Sequence, residues 1–137
     1  MISTKGRYAL RVLIDLAEQG DGKPVRLKDV ANRQGISEKY LQHVAKLLVN
    51  SGFISGSSGK GGGYMLNRDP AEMTVDEVLV AAEGTLAPVA CLADGAAECD
   101  RAPICKTLPM WKEFNAKVHD YFGGITIADL AGSFGEK

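Results

Sequence analysis

Cys91, Cys99 and Cys105 are the three cysteines of this 137-residue chain, and they fall on one short stretch as C-x7-C-x5-C. Thiolates are soft anionic ligands, so three on one loop suit an iron–sulfur cluster, zinc or copper(I). The spacing lacks the C-x-x-C pairing of a structural zinc ribbon, which weakens zinc. The same groups also suit a redox switch in which two of them pair, or three ordinary thiols. An odd cysteine count argues against the disulfide framework of a small secreted domain.

A second set of residues bears on phosphates and base edges. Lys39, Gln42, His43 and Lys46 follow i, i+3, i+4 and i+7, so one helix face carries all four. Gln42 matches the donor–acceptor pair of adenine, and the lysines can neutralise phosphates or read guanine. Ser37 and Tyr40 open the same helix. Further along, Lys60 stands beside Gly61 and Gly62 in a glycine-dominated tract, where few side chains keep a phosphate away. That tract is not a nucleotide P-loop. G-x-x-x-x-G-K-[ST] would need glycine where Ile54 stands and a hydroxyl where Gly61 stands.

Periodicity supplies the elements that must position these groups. A first helix is predicted from about Thr4 to Glu18, with Arg7, Arg11, Asp15 and Glu18 on one stripe and apolar residues around the rest. So wide an apolar face predicts a helix packed on several sides. After the turn signals of 19–24, a second helix is expected from Leu27 to Gln34. Gly35 ends it, and Ser37 caps a third helix whose buried side carries Tyr40, Leu41, Val44 and Leu48. Ala31 is the small residue that two crossing helices need where they touch. Any two amphipathic helices around a glycine share these features. The next segment is more specific: two short strands, Phe53-Ile54-Ser55 and Tyr64-Met65-Leu66, flank the glycine-rich tip as a hairpin. A helix–turn–helix followed by a basic, flexible hairpin is the order of a winged helix. Thr74-Val75-Asp76-Glu77 and Thr126 with Asp129 have the form of capping boxes. Between them a long helix runs from about Thr107 to Phe122.

Net charge conceals an asymmetry. The total is −1. Residues 1–68 carry a balance of +6 and residues 69–137 a balance of −7. The basic half is the one fitted to phosphates. No apolar run approaches the roughly 18 residues of a membrane helix, and the amino end does not read as a secretory leader. A cytoplasmic protein with no membrane partner is expected.

Thr4-Lys5-Gly6-Arg7-Tyr8-Ala9-Leu10, Gln34-Gly35-Ile36-Ser37, Tyr40-Leu41, Gly61-Gly62-Gly63-Tyr64, Trp111 and Ile125-Thr126-Ile127-Ala128-Asp129-Leu130 together resemble the Rrf2 family of winged-helix transcription regulators, which includes IscR-, NsrR-, RirA- and CymR-type members. The resemblance implies a mainly α fold with a small β-hairpin wing and a long C-terminal dimerisation helix. It implies no enzymatic activity and a homodimer on double-stranded promoter DNA, with repression as the expected mode. DNA contacts are expected from Ser37, Lys39, Tyr40, Gln42, His43, Lys46, Lys60, Gly61 and Gly62. Cluster-binding members carry three cysteines here, so the resemblance implies an iron–sulfur cluster, 2Fe-2S or 4Fe-4S, on Cys91, Cys99 and Cys105, sensing iron, redox state or nitric oxide. The fourth ligand does not carry over. The IscR-type histidine position holds Leu108, and the NsrR-type aspartate position holds Arg7. Asp94, Glu98 and Asp100 lie near enough to offer an oxygen, whereas His119 is expected on a helix face. The alternative is a cluster-free, CymR-like regulator acting by thiol oxidation or by binding a metabolic enzyme. A small redox carrier would leave the basic half and the wing without a purpose.

The expected division is 1–68 for the winged helix–turn–helix, 69–84 for a connecting helix, 85–106 for the sensor loop and 107–137 for the dimer helix and a short terminal helix. Trp111, Phe114, Val118, Tyr121 and Ile125 form an aromatic seam at three- and four-residue steps. A small winged helix cannot cover such a seam alone, which predicts a symmetric dimer. The rival is that it packs back onto its own domain through the first helix.

Overall fold

The structure, a computed structural model, describes residues 1–20, 22–93 and 95–132. Three helices come first: α1 (Thr4–Gln19), α2 (Leu27–Gln34) and α3 (Glu38–Asn50). The hairpin strands β1 (Ile54–Ser57) and β2 (Gly63–Leu66) follow, then α4 (Val75–Glu83), α5 (Leu108–Gly123) and α6 (Ile127–Ala131). This is the expected, mainly helical architecture with a two-stranded antiparallel wing.

The wide apolar face of α1 explains its place at the centre. Ala9, Val12, Leu13 and Leu16 are buried, and the helix touches α2, α3, α4, α6 and β2. Its polar stripe is not all solvent-facing, however. Asp15 is only 2% exposed. It accepts two hydrogen bonds from Arg33, at 3.0 and 2.7 Å, and one from Gln34 at 3.0 Å. The bond to Asp15, reinforced by its charge, outweighs burial and holds the Arg33 guanidinium above its usual pKa.

The turn between α2 and α3 forms as its residue types require. Gly35 adopts a left-handed φ of 65°, which glycine occupies without a Cβ penalty. The Ser37 hydroxyl accepts the Tyr40 N–H at 3.1 Å and caps α3. Leu41, Val44, Ala45 and Leu48 then point into the core.

The strands reach further toward the tip than the sequence predicts, pairing Ile54 with Leu66 and Ser57 with Gly63. Val25 adds a third rung on the far side of β2. It exchanges two backbone hydrogen bonds with Tyr64, at 2.9 and 2.8 Å. The wing is thereby rooted in the segment before α2.

Both capping boxes form, at Thr74–Glu77 and Thr126–Asp129. Their caps lie side by side. Val75 N–H donates to the Ile125 carbonyl at 2.8 Å, and Ile127 N–H to that of Met73 at 2.9 Å. This return puts Ile127 into the main core, fully buried. Ile125, expected on the outward seam, is instead buried with Val75, Leu79 and Leu86. It follows the end of α5, so the helical period no longer governs where it points. Val118 and Phe122 also lean on that inner cluster. α5 packs on α4, and its Val118 and Phe122 share that cluster with Leu10 of α1. Among the described residues no helix is long and apolar enough to cross a membrane.

Glu83, at the end of α4, holds the start of α1. One carboxylate oxygen accepts the Ser3 hydroxyl at 2.7 Å, the Ser3 N–H at 2.9 Å and the Gly6 N–H at 3.0 Å. A Cβ at Gly6 would lie 2.5 Å from that oxygen, so a side chain there would push the carboxylate aside. Burial pushes the Glu83 carboxyl up, but the bonds from Ser3 and Gly6 and the charge of Lys5 together leave it below its usual range. A depressed carboxylate stabilises the fold fully above its unfolded value of about 4.3, and that gain is lost as pH falls through the lower folded value. Glu83→Gln is therefore expected to cost about 2 kcal/mol at pH 7 in urea unfolding and to flatten the stability profile between about pH 5 and 3. An unchanged acid limb would contradict this.

Candidate nucleic-acid interface and cysteine loop

Helix α3 turns Leu41, Val44, Ala45 and Leu48 inward, which leaves Lys39, Gln42, His43 and Lys46 exposed on its other side. Ser37 and Tyr40 have structural duties as well. Ser37 is the cap, and the half-buried Tyr40 ring meets Tyr8 edge-on, with centroids 5.3 Å apart and planes at 89°. At the wing tip Lys60 and Gly61 are exposed, while Gly62 is partly covered and donates its N–H to the Gly59 carbonyl at 3.0 Å.

Lys46 and Val49 of α3 share a groove with Gly56, Ser57, Ser58 and Tyr64 of the hairpin. Helix and wing thus present adjoining surfaces, with two hydroxyls beside a cation. On the other flank, Gly61 and Gly62 border a polar groove with Arg26 and Arg33. Lys5 joins His43 and Tyr40 around a notch at the start of α1. Sequence reasoning singled out none of Lys5, Arg26, Ser57 or Ser58. Only the basic balance of residues 1–68 pointed toward the first two, and nothing marked the serines.

Cys91 lies in a short 3-10 turn, Ala90–Leu92, and is exposed, as is Cys99. Cys105 is half-buried just before α5, with its sulfur 3.4 Å from the Thr107 hydroxyl. Hydrogen bonds from that hydroxyl and from the Thr107 N–H exceed the effect of burial. With the Leu108 N–H and the charge of Arg101, they draw the Cys105 thiol below its ordinary pKa. The loop's donor chemistry fits a soft metal group: three thiols, one already biased toward the thiolate that binds metal. The structure does not draw them together, since no three His, Cys, Asp or Glu side chains gather as a metal-binding group among the described residues.

The oxygen donors considered from sequence divide. Glu98 and Asp100 are exposed on the loop, and Asp94 lies outside the described residues. His119 is engaged elsewhere: its Nδ1 sits 2.7 Å from Asp76, tying α5 to α4. Arg7 donates to Thr4 at 3.1 Å, and Leu108 begins α5. Along α5, Phe114 is 43% and Tyr121 62% exposed, with Met110 exposed as well, while Trp111 is half-buried.

The chain as a whole is similar to known proteins. A family model, Rrf2, iron-dependent transcriptional regulator, matches residues 2–133. Protein rrf2 of Nitratidesulfovibrio vulgaris is 36% identical over 129 residues, which span 94% of this chain and 85% of that protein. The HTH-type transcriptional regulator IscR of Serratia proteamaculans is 32% identical over 94% of this chain and 77% of its own. Among solved structures, CymR (YrzC), the global cysteine regulator of B. subtilis, superposes with a TM-score of 0.77 at 30% identity. That match covers 96% of this chain and 95% of the other.

Proposed function

Because this chain belongs to the Rrf2 family of transcriptional regulators, we propose that it acts as a homodimer on double-stranded promoter DNA under the control of its three-cysteine loop. The family's members are regulators and not enzymes, so no residue is given a catalytic role. The exposed face of Lys39, Gln42, His43 and Lys46 beside a basic wing carries the reading. In this arrangement α3 enters the major groove, with Ser37, Lys39, Tyr40, Gln42, His43 and Lys46 nearest the DNA. Lys60, Gly61 and Gly62 follow the phosphates. Two copies would present two such heads, and the exposed Met110, Phe114 and Tyr121 of α5 are the surface on which they join.

Cys91, Cys99 and Cys105 would hold an iron–sulfur cluster, 2Fe-2S or 4Fe-4S, which when bound supplies a group sensitive to iron supply, oxidants or nitric oxide. The loop runs from the end of α4 to the start of α5, so gathering its thiols acts on both helices. Residues 1–68 then serve as reading head, 69–84 as connector, 85–106 as sensor loop and 107–137 as dimer segment, in a cytoplasmic protein. A second reading is a CymR-like regulator that binds a metabolic enzyme or responds by thiol oxidation, and the lowered Cys105 thiol favours the oxidation.

The test is purification without oxygen, with iron content and visible absorption recorded, followed by binding to promoter duplexes before and after metal removal. Cys105→Ser is expected to abolish most of the iron-dependent absorption. Lys46→Ala should weaken binding to all sequences and lower the slope of log affinity against log salt by about 1. Equal binding with and without metal would exclude the cluster as a switch. No DNA binding at low salt would exclude the regulator's proposed action on DNA.

A further inference from the structure

A polar chain runs from α1 to the turn between α2 and α3. Tyr8, Arg11 and Asp15 lie at i, i+3 and i+7 on α1, one stripe aimed at the α2–α3 turn. Asp15 holds Arg33 and the Gln34 side-chain amide. The Gln34 amide oxygen accepts Arg11 Nε at 3.1 Å, and Arg11 Nη2 donates to the Gln34 main-chain carbonyl. Gln34 is the last residue of α2, where carbonyls lack intrahelical partners and the helix dipole is negative. Arg11 therefore closes the end of α2 from outside. Its guanidinium also stands 5.4 Å from the centre of the Tyr8 ring, and Tyr8 meets Tyr40 edge-on. The chain thus begins at a buried carboxylate and ends on the first turn of α3.

Resting on the DNA-binding reading, we propose that Arg11 and Tyr8 are positioning residues that set sequence discrimination without touching DNA. Base-edge contacts need their donors held in fixed geometry, whereas phosphate contacts tolerate displacement. Arg11 fixes the end of α2 and, through Tyr8, the ring of Tyr40. Loosening either lets α3 keep its charge and lose its alignment. The guanidinium's planar fork makes both bonds to Gln34 while standing over the Tyr8 ring, which a lysine ammonium cannot do.

The experiment selects a duplex from a randomised pool with the unaltered full-length protein. Affinities of each variant for that duplex and for a mixed-sequence duplex of equal length are then compared, below each variant's unfolding temperature. Arg11→Lys keeps the charge and is expected to lose about tenfold on the selected duplex, with mixed-sequence affinity and salt slope unchanged. Tyr8→Leu should do the same, while Tyr8→Phe, which keeps the ring edge, should retain discrimination. Wild-type discrimination in both Arg11→Lys and Tyr8→Leu overturns the proposal alone, as does an equal loss on both duplexes. An unaltered protein that enriches no sequence overturns the DNA reading and this proposal with it.

Discussion

Asp15→Ala is expected to lower stability by about 2–3 kcal/mol, seen as a fall in the urea midpoint of about 1 M or more at unchanged slope. The residue is 2% exposed and accepts three hydrogen bonds. Its removal leaves the Arg33 guanidinium and one Gln34 N–H facing a void that water fills poorly. Breaking a fully buried pair costs about 3–5 kcal/mol. The Arg33 side chain is 37% exposed and regains part of its hydration, which places the expectation lower. Asp15→Asn keeps the shape and one acceptor, so about half the loss should return. A change below about 0.5 kcal/mol in Asp15→Ala would show that the pair is a surface feature.

The second large effect concerns the wing. Gly63 has φ 152°, and a Cβ there would lie 2.5 Å from the Val25 carbonyl oxygen and 2.7 Å from its carbon. Both atoms are backbone, so no side chain can swing aside. Gly63→Ala must therefore push β2 away from Val25 and break the pair of hydrogen bonds that roots the hairpin. Expected are a loss of about 2 kcal/mol and amide exchange at Val25 and Tyr64 faster by about a hundredfold, with helix content intact. Protection unchanged at those two amides would refute it.

Local signals made much of the fold readable. Gly35, the Ser37 cap and the boxes at Thr74 and Thr126 each act through neighbours within four residues, so their residue types suffice. The misses share the opposite character. Asp15 sits on a regular polar stripe, and only the position of Arg33 on another helix shows that this part of the stripe is covered. Glu83 reaches Ser3 across 80 residues. Val25 is one extended residue, too short for any strand pattern. Ile125 continues a helical period past the helix that generated it. The site divides in the same way. Lys39, Gln42, His43 and Lys46 belong to one helix, and periodicity found their face. Ser57 and Ser58 border the same groove only because the hairpin folds beside α3. The cysteines were plain as a group, whereas the bias of Cys105 depends on where α5 begins.

The central place of α1 also has a consequence for how the protein is made. The helix leaves the ribosome before the partners that cover it, and two of these, α4 and α6, arrive some 70 to 120 residues later in the order of synthesis. Until Ile127 is added, the core around α1 lacks a fully buried side chain. A nascent chain thus carries exposed apolar surface through most of its translation, the condition in which chaperones bind. A chain that ends before α6 lacks Ile127 and leaves the apolar side chains of α1 that α6 covers open to water.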